Sequence, residues 1–169
     1  MFGSPLGVIA ILISTVSYKS WLSPDWPALT ISIIPNLLGF SLGTYALLFS
    51  LISPRVRLAL RSVKNSRDVS YFDEMNATFL HFIFVQVGAM CWAILYSQSL
   101  FYDISLLIAK IMPSEYNLFP WIAAAGGFFG FLLLLYSILL VVGSSLTVYR
   151  IARIKDPEDG SVPGNSSQK

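Results

Sequence analysis

Residues 116–149 of this chain read YNLFPWIAAAGGFFGFLLLLYSILLVVGSSLTVY and contain no charged side chain. Three more uncharged windows precede them, at residues 1–18, 26–54 and 75–102, so the 11 basic and 9 acidic side chains all lie outside four windows. A helix needs roughly 20 residues to cross about 30 Å of hydrocarbon, and a charge at its centre costs about 2.5–3.5 kcal/mol. The sequence therefore predicts an all-α integral membrane protein with four transmembrane helices.

The composition leaves room for one domain only. Charged residues make up 12% of the 169 residues and hydrophobic residues 55%, whereas soluble domains carry about 25% charged residues. The segments between windows are shorter than the roughly 50 residues that an independent domain needs. We predict a helical bundle over residues 1–155. The tail at residues 156–169 is rich in Gly, Pro, Ser and Asp, and we predict that it is disordered and cytoplasmic.

The four windows differ in how well they match a bilayer. The predicted spans are approximately residues 2–18, 28–52, 75–98 and 120–149, with a basic loop at residues 53–74. The first is short, because 18 residues reach about 27 Å, and a re-entrant or interfacial segment is the alternative. Pro35 interrupts the second span and predicts a kink. The fourth is long enough that it must tilt or continue into the cytoplasm.

Basic residues set the predicted orientation. Nine of the eleven lie in the central loop and the C-terminal segment: Arg55, Arg57, Arg61, Lys64, Arg67, Arg150, Arg153, Lys155 and Lys169. Because basic flanks stay in the cytoplasm, we predict that both termini and the central loop are cytoplasmic. The stretch Pro35–Gly43 resembles segments of small bacterial inner-membrane proteins, but it matches no named family and nothing is inferred from it. From the spans and their basic flanks we expect a multi-pass protein of the bacterial inner (plasma) membrane.

Small residues recur at helical spacing in two spans. The second span contains Gly39 and Gly43, and the fourth contains Ala123, Gly126, Gly127 and Gly130. Small residues four positions apart let two backbones approach closely, which drives helix association in lipid. We predict that these faces are packing surfaces. They either join two helices of one chain or form an interface between subunits of a homo-oligomer.

Four polar residues are predicted to lie within the spans: Asn36, Ser41, His81 and Gln86. They are candidates for the wall of a lumen, and His81 for a proton relay, because an unperturbed histidine titrates near pH ~6.5. The alternative is that they form hydrogen bonds between neighbouring helices. In the loop, Arg57, Arg61 and Lys64 share one face of an amphipathic segment and could contact lipid headgroups. Alternatively they only satisfy the positive-inside rule.

Catalysis finds no support in the sequence. No Asp or Glu lies within a span, His81 is the only histidine and Cys91 is the only cysteine, so no catalytic set, metal site or cofactor site is predicted. The net charge of +2 gives no reason to expect nucleic-acid binding.

Three function classes remain, and all have lipids and membrane proteins as their partners. The first is a self-associating pore-forming or membrane-perturbing effector, the second a membrane-embedded immunity or binding protein, and the third an accessory subunit of a larger complex.

Overall fold

The computed structural model describes residues 5–65, 68–98, 100–111 and 119–152. This part of the chain is almost entirely helical and contains no β-strand. Its helices are α1 (Pro5–Val16), α2 (Tyr18–Leu22), α3 (Trp26–Leu51), α4 (Pro54–Ser62), α5 (Tyr71–Ser97), α6 (Leu100–Ile111) and α7 (Phe119–Ala152). The predicted disordered tail at residues 156–169 lies outside the described residues.

The bundle is of the membrane type, as the sequence predicts. In the described part, three helices are long and apolar enough to cross a bilayer, at Trp26–Ser50, Tyr71–Ser97 and Phe119–Leu146, and α1 is a shorter apolar helix. The outward surface is also apolar: Leu47 is 63% exposed and Phe84 is 65% exposed. Water-soluble monomers rarely expose large contiguous apolar patches, so lipid is the solvent that this surface fits.

The first predicted span consists of two helices that together run beside α7. α1 ends at Val16, Ser17 leaves the helical conformation with ψ 37°, and α2 continues from Tyr18. Leu6 lies against Gly143 near the end of α7, while Trp21 lies against Gly127 near its start. Those two glycines are separated by about 24 Å along α7. The broken first segment therefore runs antiparallel to α7 over about that distance.

Helix α7 is the centre of the bundle. It packs against α1, α2, α3, α5 and α6, and α3 and α5 also pack against each other. Pro35 lies inside α3, which continues unbroken from Trp26 to Leu51. The 34 residues of α7 span about 51 Å, so the expectation of an overlong last helix is met.

The core has two parts. One, toward the C-terminal ends of α3 and α7, includes Phe79, Phe82 and Leu140, and the other, toward the N-terminal ends of these helices, includes Trp26 and Leu134.

The central loop and the end of α7 lie at the same end of the bundle. α5 and α7 are antiparallel, because His81 meets Tyr136 while Tyr96 meets Ala123. The start of α5, together with α4 that packs against it, therefore lies beside the end of α7. This arrangement brings the basic loop and the end of α7 together at one end of the bundle.

The close approach of α2 to α7 gives a stability prediction. A Cβ on Gly127 would lie 2.5 Å from the Trp21 carbonyl oxygen, a backbone atom, whereas a Cβ on Gly88 would have no atom within 4 Å. We expect Gly127→Ala to destabilise the folded protein by about 1–3 kcal/mol, as overpacking does. Gly88→Ala, the matched control, should be neutral or stabilising by up to about 1 kcal/mol, because alanine is the better helix former.

Unfolding of the two variants in mixed micelles by increasing sodium dodecyl sulfate measures this difference. Equal stability of the two variants would show that α2 does not pack so closely on α7.

Candidate functional site

Two of the polar candidates, Ser41 and Gln86, are joined by a hydrogen bond inside the bundle. The amide nitrogen Nε2 of Gln86 on α5 donates to the hydroxyl of Ser41 on α3, at 3.0 Å. Both side chains are completely buried. The Oε1 atom of Gln86 is buried with no hydrogen-bond partner among the described residues. This pair joins α3 to α5 and offers no surface to a lumen.

His81 takes part in a different interhelical contact. Its Nε2 atom lies 3.2 Å from the hydroxyl oxygen of Tyr136 on α7, and the two rings are 6.0 Å apart between centroids. The donor in this pair depends on the tautomer of the imidazole. The contact joins α5 to α7, on a different side of α5 from the one that carries Gln86.

Asn36 is separated from the other three polar residues. It is exposed on the side of α3 that points away from the bundle, and its carboxamide forms no hydrogen bond with any described residue. Ser41, His81 and Gln86 thus pack within the bundle, whereas Asn36 faces outward. The four polar candidates do not converge on a single cavity within one chain.

The small residues of α7 face groups of the same chain. Gly126, Gly127 and Gly130 are buried. A Cβ would meet the Phe101 ring at Gly126, the Trp21 carbonyl oxygen at Gly127, and the Trp26 and Trp92 rings at Gly130. Two aromatic residues of α5 also donate hydrogen bonds to carbonyl oxygens of α7. The indole N–H of Trp92 donates to Gly126 at 3.0 Å, and the hydroxyl of Tyr96 donates to Ala123 at 3.1 Å. This face is therefore already occupied within one chain.

The glycines of α3 have no such neighbours. A Cβ built on Gly39 or Gly43 would have no atom within 4 Å, and both positions are exposed. The two glycine faces that the sequence singles out therefore do not pack against each other. The α3 glycines are left open toward the surroundings of the bundle.

These two glycines belong to a longer stripe along the outward face of α3. We call it the α3 stripe; its members are Ser32, Asn36, Gly39, Gly43, Ala46 and Ser50, all of them exposed. Their spacing alternates between four and three residues, which keeps them within a sector of about 80° at 3.6 residues per turn. Ser32 and Ser50 donate to carbonyl oxygens of their own helix. The sequence signal for this stripe is the alternating spacing of small and polar residues, of which the pair Gly39 and Gly43 is only a part.

The basic residues proposed to contact lipid have partners within the chain. Arg57 Nη2 donates to the carbonyl oxygen of Phe49 near the C-terminal end of α3, at 3.3 Å. The helix dipole favours a positive charge at this end. The guanidinium of Arg61 lies 4.9 Å from the centre of the Phe72 ring. Lys64 forms an ion pair with Asp68 at 2.9 Å. These contacts hold the loop against the bundle, and they leave Arg61 and Lys64 exposed.

Acidic residues near the membrane organise the start of α5. The Ser70 hydroxyl accepts from the backbone N–H of Asp73 and donates to its carboxylate, which is an N-cap arrangement. The Glu74 carboxylate accepts from the amide of Asn65 at 3.1 Å. Across the described ranges, no group of three or more His, Cys, Asp or Glu side chains could hold a metal ion.

Comparison of the chain with protein-family models, curated proteins and solved structures gave no significant match.

The Ser41–Gln86 bond gives a second stability prediction. We expect Ser41→Ala and Gln86→Leu to show a coupling energy of about 0.6 kcal/mol, and no more than about 1.7 kcal/mol, as interhelical hydrogen bonds in membranes do. A double-mutant cycle measured by unfolding in mixed micelles gives this value. His81→Ala in place of Ser41→Ala is the control, because His81 has no bond to Gln86. Coupling as large with His81 as with Ser41 would contradict the bond.

Proposed function

We propose that this protein is a non-enzymatic membrane protein that acts by helix association within the bilayer. Its docking surface is the α3 stripe. The observation that carries the proposal is that this stripe, made only of small and polar residues, is exposed and is not covered by any described part of the chain. In a membrane such a surface would meet hydrocarbon. The face of α7, by contrast, has no space left for a partner because aromatic groups of the same chain fill it.

In lipid, small residues favour helix association more than large aliphatic residues do. Lipid tails are as apolar as leucine, so bulky aliphatic residues gain little by leaving them, whereas small residues allow close contact between backbones. Large apolar residues lie on both sides of the stripe, as lipid contact favours: Phe40, on one side, is 50% exposed and Leu42, on the other, is 46% exposed. The stripe is thus a groove between larger side chains, and a helix fits such a groove.

The position of Asn36 supports the same proposal. It lies about 15 Å along α3 from Trp26, near the middle of a hydrocarbon core about 30 Å thick. A carboxamide without a partner is unfavourable in an apolar medium, by at least about 1–3 kcal/mol. A docked helix that supplies a hydrogen bond would remove this cost.

A protein–protein role has more support than a pore within one chain. Ser41 and Gln86 bond to each other, and His81 contacts Tyr136, so three of the four polar candidates are already used in holding helices together. An immunity or accessory protein needs only the docking surface. A membrane effector would need, in addition, that association opens the bilayer.

We also propose that the protein lies in a bacterial plasma membrane, with the basic loop in the cytoplasm. The support is the excess of arginine and lysine at the end of the bundle where α4 and the end of α7 meet.

The proposal is tested by filling the stripe without disturbing the fold. Gly43→Leu should remove the association of the protein in its native membrane, because the side chain would occupy the groove, and a Cβ at this position has no described atom within 4 Å. Native gel electrophoresis after mild detergent extraction should show wild-type protein in a complex above the 18.7 kDa monomer and the variant as monomer.

Gly88→Leu is the matched control for this experiment. Gly88 is also open and exposed, but it lies on α5, so the complex should persist. The proposal would be wrong if Gly43→Leu left the complex intact, or if wild-type protein migrated as a monomer.

A further inference from the structure

We propose that the partner of the α3 stripe is a second copy of this chain, parallel to the first and related to it by a two-fold axis along the membrane normal. Asn36 of each copy pairs with Asn36 of the other across this axis. The inference rests on the proposed function, since it names the occupant of the same surface.

The spacing of the stripe favours a helix as the occupant. Steps of four and three residues from Ser32 to Ser50 are the a and d positions of a heptad pattern, which matches two helices crossing at about +20° in a left-handed sense. The stripe is about 27 Å long and spans most of the hydrocarbon. Because no residue on it is larger than asparagine, two copies can approach closely along its whole length.

Asn36 is the observation that selects a second copy. Its carboxamide has both a donor and an acceptor, it has no hydrogen bond to any described residue, and its depth removes it from water. Under two-fold symmetry the N–H of each amide donates to the C=O of the other, so both amides are satisfied with no other group. A single asparagine at such a position is known to fix register and the number of helices in coiled coils.

The membrane enforces the parallel arrangement. Every copy inserts with the same orientation, so two α3 helices run in the same direction, and residues of equal number meet at the same depth. Asn36 then faces Asn36 and Gly43 faces Gly43. The exposed Phe40 and Leu42 side chains, which lie on opposite sides of the stripe, would flank the paired helices and cover their contact from lipid.

The experiment uses the full-length protein in vesicles of phosphatidylcholine and phosphatidylglycerol. Ala46→Cys places a thiol on the stripe in a Cys91→Ala background, and copper phenanthroline oxidises neighbouring thiols to a disulfide. We expect Ala46→Cys to form a linked dimer. Wild-type protein, whose exposed Cys91 lies on α5, should remain monomeric on denaturing gels and is the matched control.

The role of Asn36 is measured separately, by energy transfer between labelled copies in the same vesicles. Asn36→Leu should weaken dimerisation by about threefold to twentyfold, the range for interhelical hydrogen bonds in membranes. Asn36→Gln keeps the amide and should retain most of the affinity. Equal dimerisation of wild type and Asn36→Leu would overturn the pairing of the amides.

Other outcomes separate this inference from the proposed function. If Ala46→Cys yields no linked dimer, while the native complex still depends on Gly43, then α3 docks a different protein and the inference is wrong, although the proposed function stands. If the native complex is insensitive to Gly43→Leu, both are wrong. Linked wild-type dimers through Cys91 would move the contact to α5 and overturn the inference.

Discussion

The structure depends on close contact between α7 and the aromatic residues that surround it. In lipid, helices gain stability from contact between their atoms rather than from leaving the solvent. Because the glycines of α7 carry no side chain, a backbone carbonyl or a tryptophan ring can approach the helix closely at these positions. At Gly130, the rings of Trp26 and Trp92 fill the space that any side chain would need. α7 can thereby contact α1, α2, α3, α5 and α6 along its length.

Polar groups then determine how the helices are aligned. Trp92 and Tyr96 donate to carbonyl oxygens of α7, and Gln86 donates to Ser41. The Gln86–Ser41 pair is fully buried, so a shift of one helix along the other would leave its donor without a partner where water cannot replace it. Trp21 donates to the carbonyl oxygen of Ser14 at 3.0 Å, beside the break between α1 and α2. The break is thereby tied to the helix that follows it.

The α3 stripe contrasts with these satisfied contacts, which is why it supports the proposed role. Gln86, Trp92 and Tyr96 of α5 bond to groups within the bundle, whereas Asn36 points away from it. Gly39 and Gly43 likewise have space around them that the chain does not use. A helix that only met lipid would have no physical reason to combine an amide with small residues on one face.

Much of the fold follows from the sequence because hydrocarbon excludes charge wherever a span crosses it. The uncharged windows alone therefore indicate the three long helices, the short first segment and the length of α7. The interfaces are harder to predict. Gly39 and Gly126 both satisfy the small-residue pattern, yet one is open and the other is covered by Phe101, since spacing describes one helix and not its neighbours.

The same limit applies to the polar candidates. The sequence places His81 and Gln86 within one span, but it does not identify the hydrogen-bond partner of either. The sequence alone determined the solvent, the helical class and the positions of the long spans, because these follow from the local cost of charge and of unsatisfied backbone in lipid. Which helix faces are covered by other residues and which are free is visible only in the folded protein, because it depends on atoms brought together from distant parts of the chain.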